Sequence, residues 1–147
     1  MPHLRTQVRH ALRDQLIGLP TTGSNVHVNR TARLSERQLP ALVITAGLES
    51  ASTEGLDGFI RRELEVQVDG YASADLDDLD DLLDQMALEV EQAMSAADLL
   101  GGLIKAEPEL QRTEIGIDES GDKPIGRVRM IFKTITYTAT GQPGDVI

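Results

Sequence analysis

The stretch ASADLDDLDDLLDQMALEVEQAM, residues 72–94, admits three readings: a cation cage, a disordered acidic tract, or one amphipathic helix. Leu76, Leu79, Leu83, Met86, Val90 and Met94 recur at steps of three and four. Asp77, Asp78, Asp80, Asp81, Asp84, Glu89 and Glu91 fill the remaining arc of a helical wheel. A stripe this regular selects the helix and puts the acids on its outside. The acids lack the D-x-[DN]-x-[DN]-G pattern and closing glutamate of a calcium loop, so no metal is expected. Ser73 or Asp75 stands where an N-cap is needed. Leu88 lies among the acids, on the wet side of the wheel, and marks a place for a subunit contact.

Working outward, Leu4, Val8, Ala11, Leu12 and Leu16 predict a first helix over 3–17, ended by Gly18 and Pro20. Arg5, Arg9 and Arg13 are four apart and form a basic stripe along it. Val26 and Val28 alternate with polar neighbours as a short strand. LPALVITAG, residues 39–47, reads as a strand covered on both faces. Residues 48–58 are polar and glycine-bearing, a long flexible connection. Leu64, Val66 and Val68 then alternate with polar residues in a third strand. After the acidic helix, LLGGL at 99–103 supplies its stop. Residues 109–117 and 126–139 predict a hairpin joined by DESGDKPI. In its second strand Val128, Met130 and Phe132 share one face, and Ile131, Ile135 and Tyr137 the other. That second apolar face asks for a partner.

The expected fold is α/β (α+β): a mixed, largely antiparallel sheet of about five strands with two main helices packed on it. The element order is α-β-β-β-α-β-β, in a single domain over 1–140. Residues 141–147, GQPGDVI, are expected to be a flexible tail.

Composition removes several functions. The chain of 147 residues has no cysteine, which excludes disulfides, thiolate metal sites and cysteine nucleophiles. No stretch has the length and apolarity of a signal peptide or a membrane span, so a cytoplasmic site of synthesis is expected. The net charge of −10 is split, with six arginines in residues 1–37 and most of the acids after them. Such a chain is not built to grip phosphates, although opposite flanks can meet between copies. No G-x-G-x-x-G, P-loop, G-x-S-x-G or H-x-x-x-H spacing occurs, and His3, His10 and His27 are scattered. No enzyme activity and no cofactor are expected.

The order of elements resembles the tail terminator proteins of long-tailed bacteriophages, of the lambda minor tail protein U type. LRTQVRHALRDQL, LPALVITAG, RELEVQVDGYASADLDDLDDLLDQM and RMIFKTITYTA carry the likeness, which spans nearly the whole chain. The resemblance implies a homo-oligomeric, hexameric ring that binds the tail tube protein, ends tube polymerisation and offers a joining surface to the head-tail connector. DNA would only pass through its lumen, and the protein would sit in the virion at the neck end of the tail. The subunit contacts expected are Arg5, Arg9 and Arg13 against Asp77, Asp81, Asp84 and Leu88. Contact loops for the tube or neck are expected around Ser52, Thr53, Glu54 and Asp57, and around Glu119, Asp122 and Lys123. Two alternatives stand beside this: a head-tail completion protein of the same kind of virion, and a small ligand-binding α/β module.

Overall fold

The computed structural model describes residues 1–28, 38–53 and 58–147. Helix α1 spans Leu4–Leu16 and buries Leu4, Val8, Leu12 and Leu16 along the expected stripe. His3 caps it: its Nδ1 accepts the Arg5 N–H at 3.1 Å. Burial, then the neighbouring Arg5 charge, lower the pKa of this imidazole, which keeps the ring neutral and the nitrogen able to accept. Helix α2 spans Leu76–Ser95, as the leucine spacing predicts. Asp75 occupies its N-cap position without a side-chain hydrogen bond, and Ser73 Oγ donates instead to the Pro124 carbonyl at 3.1 Å. Neither therefore caps α2 by its side chain.

Among the described residues six strands form one sheet: β1 (Val26–His27), β2 (Ala41–Ser52), β3 (Phe59–Ser73), β4 (Glu109–Asp118), β5 (Ile125–Ala139) and β6 (Gln142–Val146). Their spatial order is β1-β2-β3-β5-β4, with β6 pairing the far end of β5. Only β1 and β2 run parallel; every other pair is antiparallel. The order α-β-β-β-α-β-β is present, extended by a last strand. The sheet is mixed, and both helices pack on one of its faces. There Leu42, Ile44, Leu64, Val66, Val68, Val128, Met130 and Phe132 meet the apolar stripes of α1 and α2 in one core.

Glycines set how closely α2 approaches. A Cβ at Gly126 would stand 2.7 Å from Leu83 Cδ1, and one at Gly70 would stand 2.9 Å from Met86 Cε. The helix lies along β3 and β5 because these two positions have no side chain to hold it off.

Four expectations need correction. Residues 48–52, expected in a flexible connection, continue β2 past a bulge between Ala46 and Glu49, and β3 begins at Phe59. Small and polar residues there pair with Arg61, Arg62 and Glu63, so backbone hydrogen bonding outweighs the weak apolar pattern. Residues 141–147 are not a free tail: Val146 pairs with Thr138, and Gln7 Nε2 donates to the Gly144 carbonyl at 2.9 Å. The acidic helix stops before LLGGL, which lies in a separate tight turn over Asp98–Gly102. Glu89, assigned to the wet arc, is buried.

Candidate functional site

The expected contact residues fall on several distinct surfaces. On α1, Gln15 Nε2 donates to the Ala93 carbonyl of α2 at 2.9 Å, whereas Arg5 reaches Glu49 of β2. By helical spacing, Arg9 and Arg13 therefore lie on the flank turned away from α2. Arg5 is held within the subunit. Its Nη1 lies 3.4 Å from Glu49 Oε2, which also takes Arg62 Nη1 at 3.0 Å. Arg62 is buried and donates through Nε to Thr138 Oγ1 at 2.9 Å. A cation and an anion at this depth require each other, because losing either leaves an uncompensated charge. Arg9 bonds Thr6 within its own helix, and Arg13 lies 3.5 Å from the exposed Asp14. Both are half-buried, and Arg13 keeps 37% of its side chain in water.

On α2, Asp77, Asp81 and Asp84 are exposed, and Leu88 keeps 47% of its surface in water. No lysine or arginine occurs between Leu76 and Ser95, so nothing on the helix itself neutralises this face. Glu89 points the other way. It accepts from the Thr21 N–H at 2.8 Å, the Thr21 hydroxyl at 2.6 Å and Gln85 Nε2 at 2.9 Å, tying the segment after α1 to α2. Burial pushes its pKa up, but the Thr21 and Gln85 donors outweigh this and hold it below the usual carboxylate value.

The two loop clusters lie at opposite ends of the sheet. Ser52 and Thr53 adjoin the Phe59 end of β3, and the segment holding Glu119, Asp122 and Lys123 adjoins its Ser73 end, where Ser73 pairs with Ile125. Between them runs the 15-residue β3, about 45 Å at strand rise. Glu119, Asp122 and Lys123 are exposed. Glu54 and Asp57 lie outside the described residues.

The sheet face away from the helices does not carry the greasy patch expected of Ile131, Ile135 and Tyr137. Ile131 is buried, and Ile135 and Tyr137 are half-buried. Ion pairs cover much of the rest: Arg129 grips Asp69 at 2.9 and 3.1 Å, Gln67 adds a third bond to Asp69, and Arg61 meets Glu63 at 2.9 Å. Clefts on this face are shallow, lined by Leu48, Ser50, Glu63 and Lys133 in one and by Val43, Gln67, Asp69 and Tyr71 in another. On this face Leu48, at 61%, is exposed; a row of exposed apolar side chains runs along β4, where Leu110, Ile115 and Ile117 are 38, 50 and 42% exposed. Sequence reasoning missed these residues. The signal was Leu110, Ile115 and Ile117 in a strand whose neighbouring positions offer no second layer to cover them.

Among the described residues, no helix is long and apolar enough to cross a membrane, and no group of three or more His, Asp or Glu side chains is placed to hold a metal.

No protein-family profile and no curated protein matches the chain. Among solved structures it is similar to a chain of the "Virion of native gene transfer agent (GTA) particle". The match has a TM-score of 0.50 at 14% identity and covers 90% of each chain. At that identity, the likeness is one of fold.

Proposed function

We propose that this chain is a structural protein of a phage-like virion, acting as a tail terminator: a ring that caps the tail tube, ends its polymerisation and joins tail to head. The observation that carries the reading is the fold shared, over 90% of each chain, with a chain of a gene transfer agent virion. The layout of the chain supports it. A protein seated between two other rings needs contact groups at both ends of its sheet, and the Ser52–Thr53 and Glu119–Lys123 clusters are so separated. The same chain needs complementary sides to close on itself. Its basic α1 flank and acidic α2 supply them, in a head-to-tail contact of the kind that closes into rings.

In this reading the chain is not an enzyme and carries no cofactor. Its partners are its own copies, hexameric by the resemblance, with tail tube protein on one side and head-tail connector on the other. DNA passes through a lumen whose walls do not bind it, as a charge of −10 per copy favours. The protein is made in the host cytoplasm and ends in the virion, at the neck end of the tail.

Complementation in a virus lacking the gene tests this. Loss of a terminator gives overlong tubes, and the chain restores their length. Normal tails left unattached to heads would instead make it a head-side completion protein.

A further inference from the structure

Helices cover only part of the sheet. α1 packs on β2 and β6, and α2 packs on β3 and β5; beside them β4 is exposed along nearly its whole length. Residues paired across an antiparallel ladder share a face. Leu110 pairs with Phe132, Ile115 with Val128 and Ile117 with Gly126, so all three point to the helical side, into a lane beside α2 that no helix among the described residues fills.

The wall of that lane is acidic. Glu91, Met94 and Ser95 of α2 border a cleft with Glu107, Pro108 and Leu110. Asp80 and Asp84 follow Glu91 on the same arc of the helix. From Leu110 to Ile117 the floor runs about 20 Å at strand rise, and the 13 residues of α1 also span about 20 Å at helical rise. The flank of α1 turned from α2 carries the half-buried Arg9 and Arg13, with Ile17 47% exposed beyond its end. Arginine stems lie readily on apolar surface while their heads reach carboxylates.

We propose that this lane seats α1 of a second copy, with that copy's Arg9 and Arg13 against Asp84 and Glu91 and its arginine stems over Ile115 and Ile117. α1 packs chiefly on β2 and β6 and the lane lies along β4, on a different surface, so each copy offers one of each and the contact repeats head to tail. The inference rests on the ring reading above and names the surface that makes the ring.

Charge exchange tests it. One variant carries Arg9→Glu and Arg13→Glu; the other carries Asp84→Arg and Glu91→Arg. Each alone places like charges at every contact, and sedimentation should show monomers with unchanged circular dichroism. Mixed in equal amounts they restore opposite charges at every contact, and the mass of the wild-type assembly should return. Ile115→Asp, on exposed strand, should abolish assembly with no rescue by either partner. Wild-type mass in the separate charge variants or in Ile115→Asp, or failure of the mixture to reassemble, overturns the seat while leaving the ring intact. A wild-type chain that stays monomeric, alone and on tail tubes, overturns both.

Discussion

Glu89 shows what a helical wheel cannot see. Its angle puts it at the margin of the apolar stripe, and its charge argues for water, yet it is 6% exposed because Thr21 brings two donors to it from another segment. A buried carboxylate persists only where such donors replace its hydration. The sign of its pH dependence follows. Because the folded pKa is lowered, the stabilisation is fully present above the unfolded value of about 4.3 and is lost as pH falls through the lower folded value. Glu89→Ala should therefore lose about 2 kcal/mol at neutral pH, since it leaves the Thr21 N–H and Gln85 unpaired. The gap between variant and wild type should narrow in urea titrations carried out well below the unfolded pKa; a gap independent of pH would contradict this account of the site. Arg5 carries the same lesson in the opposite direction. The four-residue spacing of Arg5, Arg9 and Arg13 is plain in the chain, but Glu49 lies far away in sequence, and past the bulge in β2 it pairs with Arg5 within the subunit.

Among the elements, the two helices were legible because their apolar residues repeat with the helical period and no Gly or Pro interrupts them. The core of β2 was legible as an unbroken apolar run, and those of β3 and β5 by alternation. Less visible were segments whose structure depends on a partner strand: Leu48–Ser52 and Gln142–Val146 have weak patterns of their own and are held by β3 and β5. The turn after α2 is the other case. Asp98, Leu99, Leu100, Gly101 and Gly102 all take left-handed φ, at 44, 56, 52, 68 and 91°. The glycines suggested a helix stop, but not three non-glycine residues in a conformation that costs each about 1 kcal/mol or more. Ile104 N–H closes the turn onto the Leu99 carbonyl, and Lys105 N–H bonds Ile135 of β5, which fix its two ends. Opposite effects are expected within this one turn. Asp98→Gly should raise stability, by up to about 1 kcal/mol, and Gly102→Ala should lower it by about 1 kcal/mol or more. Chemical denaturation of the two variants measures both signs, and equal signs would mean that backbone strain does not govern the turn.

At the scale of the molecule, one-sided cover is the feature that matters. Two helices leave the β4 edge of the sheet bare, the apolar residues there face the same side as the helices, and the basic and acidic flanks point away from one another. From the sequence the charge split was readable, and an uncovered apolar face was expected on the outer side of β5. Its location on β4 was not readable, since Ile131 and Ile135 look as exposed in the pattern as Ile115 and Ile117. Pairing decides the matter: β5 is central and its outer face is closed by neighbouring ion pairs, whereas β4 is an edge. On the proposed reading copies complete this surface by meeting in a circle, and the most direct measurement is electron microscopy of the purified protein alone and mixed with tail tubes. Closed annuli, free or seated at one tube end where growth has stopped, are the expected result. Separate single subunits together with tubes that continue to lengthen would contradict it.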